Sequence, residues 1–181
     1  APMRIAKRVR ELFARVFSRE AFGAQRRTEE RSEKVPRKLR AGIKLLNEIV
    51  GYGDPVQDSD RVDAVLKFYR NKGDPLEFET ILQDPIPYVT TLEGKPVIAW
   101  QAPKMHRSNV SYQRLWLLAR QADVLPGIYY AILGMRTMGY RHVAIPPHLF
   151  AHAMHQACGI DRESVIRLEI FLIRIHPKHR R

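Results

Sequence analysis

Residues 124–147 read VLPGIYYAILGMRTMGYRHVAIPP, and their pattern indicates how the body of the chain folds. Pro126-Gly127 is a turn dipeptide, and the apolar run over residues 128–135 predicts about two helical turns. A polar reversal follows, after which residues 140–145 alternate like a strand until Pro146-Pro147 ends it. The stretch therefore predicts one short buried helix that leads directly into one strand.

Several residues of this stretch stand in a fixed order: Leu125-Pro126-Gly127, Leu133-Gly134-Met135, Gly139, Arg141 and Ile145-Pro146-Pro147. This order resembles the central signature of the FKBP-type peptidyl-prolyl isomerases. The resemblance implies an α+β fold, in which an FKBP-like antiparallel half-barrel sheet wraps around a short helix. We expect two additions to this body, a basic N-terminal helix and a helical insertion.

The formal net charge of +12 is concentrated at the two ends of the chain. Residues 1–40 hold thirteen Lys or Arg against five acids, residues 174–181 hold four against none, and residues 41–173 hold fourteen of each. A neutral body with basic ends is typical of a protein whose ends bind a polyanion. We therefore predict a basic helix and linker over residues 1–41, an FKBP-like domain over 42–175 with an insertion at 81–123, and a basic arm over 176–181.

The N-terminal region has the pattern of an amphipathic basic helix. In residues 1–22, six apolar side chains recur at helical spacing among basic ones, whereas residues 24–40 are almost wholly polar. The helix is compatible with docking on a partner or nucleic acid, with a membrane surface, with a targeting peptide and with packing on its own body. The candidate nucleic-acid-binding residues of both ends are Arg4, Lys7, Arg8, Arg10, Arg15, Arg26, Arg27, Arg37, Lys38, Arg40, Lys178, Arg180 and Arg181.

Three further strands are predicted in the body, over residues 43–50, 61–69 and 165–175. Between Thr80 and Val124 the resemblance fails, because the chain is longer there than in the family. Prolines divide the first part of this insertion into turns and a short strand over 97–100, and Ser108 is a suitable N-cap for a helix over residues 108–122. We expect the apolar stripe of this helix to pack on the body. The stripe consists of Tyr112, Leu115, Trp116, Leu118 and Ala119.

Prolyl isomerisation requires no nucleophile, because its barrier of ~20 kcal/mol comes from amide resonance. A catalyst instead offers a desolvated apolar pocket and a donor for the carbonyl of the twisted amide. The resemblance implies such a pocket, made of two tyrosines, phenylalanines, a tryptophan floor and one aspartate. The corresponding residues of this sequence are Phe68, Phe78, Glu79, Val124, Leu125, Ile128, Ala151, Ile160 and Leu168.

The match at these pocket positions is partial. Phe68 and Ala151 stand where the resemblance implies tyrosines, and Ile128 stands where it implies the tryptophan. Glu79 stands at the position of the aspartate. Because both hydroxyls and the indole are missing, we predict that isomerase activity is weak or lost. The remaining side chains are compatible with a cradle for a proline-containing peptide segment and equally with an ordinary core.

One group of residues has side chains of the type that binds zinc. His148, His152, His155 and Cys158 would share one face of a continuous helix that begins after Pro147. Histidines near a surface turn are more often simply solvated, so no cofactor is predicted, and these four residues are the candidate ligands if a metal binds. Cys158 is the single cysteine, which rules out an internal disulfide and suits a reducing compartment.

Three functions are consistent with these features. We favour a non-catalytic or very weakly active FKBP-like structural subunit of an RNA-rich assembly, with a mitochondrial ribosome as the favoured assembly and ribosomal RNA and neighbouring proteins as partners. The first alternative is an active isomerase or chaperone that its basic arms localise. The second alternative is a subunit of a membrane-associated mitochondrial complex, although no apolar run approaches the ~20 residues of a membrane-spanning helix. The expected location is the mitochondrion, or otherwise the cytoplasm.

Overall fold

A computed structural model describes residues 38–76, 78–80, 85–102, 108–110, 112–149 and 159–178. For residues 78–80, 108–110 and 112–113 it describes the backbone alone. Within these ranges, the strands are β1 Lys44–Ile49, β2 Arg61–Arg70, β3 Phe78–Thr80, β4 Ile86–Leu92, β5 Lys95–Gln101, β6 Ser108–Val110, β7 Tyr112–Leu118, β8 Gly139–Ile145 and β9 Ile166–His176. The described α-helix is α1 Pro126–Ile132, and short 3-10 turns cover Arg40–Gly42 and Pro147–Leu149.

Five of the strands form one antiparallel sheet in the order β1-β8-β9-β2-β7. Two separate two-stranded pairs, β3 with β6 and β4 with β5, complete the described strands. The predicted helix and strand of residues 124–147 are confirmed as α1 and β8, and the predicted strands 43–50, 61–69 and 165–175 as β1, β2 and β9. Within the described residues, no helix is long and apolar enough to span a membrane.

The inner face of the sheet packs against α1 and forms the main core. Alternate residues of each strand point to this face, as the two-residue period of a strand requires. They join the buried side of α1 in a single hydrophobic cluster. The buried members contributed by β2, α1 and β9 are Val62, Ala64, Leu66, Phe68, Ile128, Tyr129, Ala131, Ile132, Ile166, Leu168, Ile170 and Leu172.

A buried cation fixes the C-terminal end of α1 to the sheet. The Nη1 of Arg141 on β8 donates to the carbonyl oxygens of Ala131 at 3.0 Å and Leu133 at 2.8 Å. Its Nε donates to Glu48 Oε1 on β1 at 2.7 Å. Free carbonyls at a helix C-terminus attract positive charge, so this contact satisfies acceptors that have no intrahelical donor. One side chain therefore joins the helix, β8 and β1.

The outer face of the sheet carries a second, smaller core. Ile49, Val65, Tyr140 and Phe171 form this cluster. Val89 of β4 and Ile98 of β5 are half-buried and pack against it. The β4–β5 hairpin, which is part of the segment predicted as an insertion, therefore covers an apolar area of the outer face. Burial of that area is the physical reason for the hairpin's position.

A carboxylate at the centre of the outer face holds two tyrosines. The hydroxyl of Tyr69 donates to Glu169 Oε2 at 2.6 Å, and the hydroxyl of Tyr140 donates to Oε1 at 2.6 Å. Burial raises the pKa of both tyrosines, and their hydrogen bonds to Glu169 add to the effect. Burial also lowers the pKa of Lys67, whose Nζ lies 5.0 Å from the centroid of the Phe171 ring. The outer face is thus built as a mixed polar and aromatic layer.

The helix predicted over residues 108–122 is wrong, and with it the helical character of the insertion. Residues 108–110 form β6, and residues 112–118 form β7, which pairs along its whole length with β2. The apolar run was ambiguous because β7 has covered side chains on both faces, with Leu115 and Leu117 inward and Trp116 outward. Such a run lacks the alternation that distinguishes a strand from a helix. The predicted N-terminal helix lies outside the described residues.

We predict that Arg141→Leu lowers the free energy of unfolding by about 3–5 kcal/mol. The substitution leaves the carboxylate of Glu48 and the carbonyls at the end of α1 without their shared donor. Urea denaturation measures the change. The control is Arg120→Leu, because Arg120 pairs with Asp123 at the surface with both side chains about half exposed. It should cost about 1 kcal/mol or less. Equal losses in the two variants would contradict the role given to Arg141.

Candidate functional site

Six of the nine pocket positions come together in the structure. Phe68 on β2 and Leu168 on β9 are direct register partners, and both are 0% exposed. Ile128 on α1 is 2% exposed, and Val124 in the turn before it is 8% exposed. Leu125 is half-buried against the same cluster, as is Ile160. These six side chains therefore belong to one hydrophobic cluster, and Phe68, Ile128 and Leu168 are buried at its centre.

The Leu-Pro-Gly segment sets the position of α1 over these residues. Pro126 occupies the first turn of the helix, where its missing N–H removes no hydrogen bond. A Cβ on Gly127 would lie 2.7 Å from Ile145 Cγ2, a distance that real side chains do not reach. Glycine therefore allows α1 to approach β8 closely. That approach places Ile128 in the same hydrophobic cluster as Phe68 and Leu168.

An aspartate of the loop between β1 and β2 also anchors α1. The Tyr129 hydroxyl donates to Asp58 Oδ1 at 2.8 Å, and the Ser59 hydroxyl donates to Oδ2 at 2.9 Å. The hydrogen bond from Tyr129 lowers the pKa of Asp58, and the same bond raises the pKa of Tyr129. Asp58 is not among the residues that the sequence analysis singled out. Its partner Tyr129 lies 71 residues further along the chain, and no local sequence pattern predicts this contact.

The other three pocket positions are not brought into this group by described side chains. Phe78 and Glu79 lie on β3, where their backbones face Val110 and Asn109 of β6. Their side chains lie outside the described residues, and so does Ala151. The described side chains at the pocket positions are therefore aliphatic apart from the phenyl ring of Phe68.

Three of the thirteen candidate nucleic-acid-binding residues lie within the described part of the chain. Lys38 and Arg40 are exposed just before β1. Lys178 is exposed after β9, and its backbone N–H donates to Asp60 Oδ1 at 3.0 Å. The remaining candidates lie outside the described residues, namely Arg4, Lys7, Arg8, Arg10, Arg15, Arg26, Arg27, Arg37, Arg180 and Arg181.

The candidate metal ligands are not assembled by the described residues. His148 is exposed in the 3-10 turn Pro147–Leu149. His152, His155 and Cys158 lie outside the described residues. Among residues that the structure describes, no group of three or more His, Cys, Asp or Glu side chains could hold a metal ion.

A polar cleft of about 640 Å³ lies beside the start of β2, at the opposite end of this strand from Phe68. It combines acidic, basic and hydroxyl side chains with the last residues of β9. Asp60 in its wall is 3% exposed and also accepts a hydrogen bond from the backbone N–H of Gln57 at 2.8 Å. The cleft is lined by Asp54, Pro55, Asp60, Thr137, Ile175, His176, Pro177 and Lys178.

The fold of this chain is FKBP-like. A peptidyl-prolyl cis-trans isomerase from Pseudomonas syringae matches it with a TM-score of 0.50 and 16% identity, over 98% of this chain and 97% of that one. FkpA from Escherichia coli has a TM-score of 0.49 at 18% identity, over 95% of this chain and 58% of its own. AtFKBP13 has a TM-score of 0.48 at 20% identity, and the match covers 75% of this chain and 94% of AtFKBP13. No protein-family model matches the sequence, and no curated protein is significantly similar to it. At these identities the likeness establishes the fold alone.

We predict that Leu168→Ala lowers the free energy of unfolding by about 2–5 kcal/mol, because it opens a cavity in a closed core. Chemical denaturation measures the change. The control is Leu92→Ala, since Leu92 is 63% exposed. It should change stability by about 0.5 kcal/mol or less. A loss below about 1 kcal/mol in Leu168→Ala would instead indicate an open cradle that solvent or a ligand enters.

Proposed function

We propose that this chain is a non-catalytic or very weakly active FKBP-like structural subunit of an RNA-rich assembly, and that the assembly is a mitochondrial ribosome. The observation that supports the loss of catalysis is the complete burial of Phe68, Ile128 and Leu168 at the pocket positions. The uneven charge supports the RNA partner. In this proposal the body is a scaffold, and ribosomal RNA and neighbouring proteins are its partners.

The argument against strong catalysis has two parts. A peptide proline could enter only by displacing side chains that pack on one another, and the packing energy of Ile128 and Leu168 would be lost. The resemblance also implies hydroxyl and indole donors that this sequence lacks at Phe68, Ile128 and Ala151. Loss of one such donor costs ~2–4 kcal/mol of transition-state stabilisation, a factor of ~100 or more in rate. The two effects act in the same direction.

The argument for RNA rests on where the charge lies. The body is neutral, whereas residues 1–40 carry a net charge of +8 and residues 174–181 carry +4. Basic segments next to a neutral domain can contact phosphates, and such contacts do not depend on the base sequence. Binding of this kind releases counterions, so the affinity falls with salt. If six of these side chains reach phosphates of a single strand, log affinity should fall with log salt at a slope of roughly four.

We predict that the endogenous protein, tagged at either end, co-sediments with ribosomal particles in a gradient and leaves them after ribonuclease treatment. A matched variant in which Lys7, Arg8 and Arg10 are replaced by Gln should shift toward the free fractions, because it loses three positive charges from the N-terminal region. A similarly sized protein without basic ends serves as the control. Sedimentation as a free small protein, with or without ribonuclease, would contradict the proposal.

We predict little or no turnover in a proline-peptide isomerisation assay. The catalytic efficiency should lie at least ~100-fold below that of the Pseudomonas syringae peptidyl-prolyl isomerase measured beside it, as expected for a missing donor. Several peptides with different residues before proline should be compared, so that a specificity change is not mistaken for inactivity. Turnover equal to that enzyme would support the active isomerase and contradict a closed pocket.

A further inference from the structure

A row of basic side chains crosses the outer face of the sheet, at the end where β8 finishes and β9 begins. Lys38 bridges to Lys44 on β1, and Lys44 faces Ala144 on β8. Ala144 in turn faces Arg167 on β9. We call Lys38, Lys44 and Arg167 the basic row. It lies on the outer face because the neighbours of these residues along the chain pack in the inner core. Three chain segments thus contribute one cation each.

The small side chain of Ala144 leaves space between two of these cations. Neighbouring strands lie about 4.8 Å apart, so roughly 10 Å separates the Cα atoms of Lys44 and Arg167. Lys44 is exposed, and Ala144 and Arg167 are half-buried. The long side chains of lysine and arginine can both reach an anion above the methyl group, since each carries several donors at its end. The register therefore provides a place for one anion between two cations from different strands.

Among the side chains that the structure describes, two buried nitrogen atoms beside Ala144 have no hydrogen-bond partner. They are Nε of Arg167 and Nε2 of His142, which precedes Ala144 by two residues and so shares its face of β8. Burial lowers the pKa of His142, Glu169 opposes this effect, and the charge of Arg167 lowers the pKa further. The guanidinium and the imidazole are therefore close neighbours. Unpaired buried polar atoms of this kind call for a partner, such as a bound ion.

One acid lies next to the basic row, two residues after Arg167 on the same face of β9. This acid, Glu169, faces Lys67 on β2, and the two opposite charges interact. Its two oxygens accept the hydroxyls of Tyr69 and Tyr140, each at 2.6 Å. The charge of Glu169 is therefore offset by Lys67, and its oxygens are occupied by tyrosine donors.

The turns around this end of the sheet do not remove the surplus of positive charge. Residues 161–163, before β9, hold two acids and one arginine, and residues 70–74, after β2, hold two basic residues and one acid. The two turns thus cancel in charge. Glu48 of β1 is paired with the buried Arg141. The charge of the basic row is therefore not balanced by the acids that the structure describes around it.

We propose that the basic row binds a phosphate of an RNA backbone, held above Ala144 between Lys44 and Arg167, with Lys38 beside it. The proposal rests on the proposed function and names the surface by which the body contacts RNA. Phosphate has several strong acceptor oxygens, so cations from two strands can bind one phosphate together. Contacts of this kind position RNA without reading its sequence. The pocket positions Phe68 and Leu168 lie on the opposite, inner face of the sheet.

Proton NMR of the full chain tests the site at the position of the imidazole. The ring signal of His142 is identified by its loss in His142→Gln, and a single-stranded RNA of about twelve nucleotides is the probe. We expect the RNA to shift this signal, because a phosphate above Ala144 lies beside the ring. The shift should disappear in Ala144→Leu, which fills the space, and remain in Ala144→Ser, which does not. A signal that stays unshifted while the RNA binds, or a shift that persists in Ala144→Leu, would overturn the proposal.

The salt dependence of the RNA affinity tests the charged contacts. The double variant Lys44→Gln/Arg167→Gln should lower the slope of log affinity against log salt by about 0.7, as expected for the loss of one phosphate contact on a single strand. The control is Arg61→Gln/Arg120→Gln, which makes the same charge change at the opposite end of the sheet, where β2 begins and β7 has ended. Equal reductions in the two double variants would contradict the proposal. So would a His142 signal that vesicles containing phosphatidylserine shift and RNA does not. Circular dichroism melting confirms that each variant folds.

The gradient experiment separates this proposal from the function on which it rests. If the protein leaves ribosomal particles after ribonuclease treatment but Ala144→Leu and Lys44→Gln/Arg167→Gln sediment like the unmodified chain, the basic row is not the RNA contact and the proposed function stands. If the unmodified chain sediments free and RNA does not shift its imidazole signal, both fail. Loss of co-sedimentation in these two variants, with the Ala144→Ser and Arg61→Gln/Arg120→Gln controls retained, supports both.

Discussion

Arg141 contacts three elements whose relative positions define the body: the C-terminal carbonyls of α1, the strand β8 that carries it, and Glu48 on β1. A guanidinium can do this because its donors form a rigid planar fork, whereas an ammonium is a single point charge. Burial of the cation is tolerated only while all of these acceptors stay in place. Together with the close approach at Gly127, these hydrogen bonds hold α1 over the inner face of the sheet.

The signature residues near Arg141 have related physical roles. Gly127 permits the close approach of α1 to Ile145 on β8. Gly51, just after β1, lies where a Cβ would be 2.1 Å from the carbonyl oxygen of Thr137. The turns around β1 and β8 therefore approach each other at backbone distance. These contacts explain why a pattern of a few small and basic residues could predict the helix and strand of residues 124–147 correctly.

Sequence failed where a contact joins distant residues or where both faces of a strand are covered. The helix predicted over residues 108–122 became β6 and β7, because tertiary packing on both faces of β7 removed the alternation of a strand. The hydrogen bonds of Tyr69 and Tyr140 to Glu169 join residues that are 100 and 29 positions apart, respectively. No local periodicity of the sequence predicts them. The pocket positions were predicted through the resemblance alone. The residue types alone do not determine how densely these side chains pack, so the burial of the central ones could not be predicted.

Coverage of the sheet on both faces limits how this body can bind anything. On the inner face, α1 and the pocket positions leave Phe68, Ile128 and Leu168 without contact to solvent. On the outer face, the β4–β5 hairpin packs over Phe171 and its neighbours. A ligand therefore gains little from apolar burial at either centre, because that surface is already removed from water. Under the proposed function, recognition therefore falls to exposed charged residues at the margins of the sheet, where long-range attraction to a polyanion acts without displacing the core.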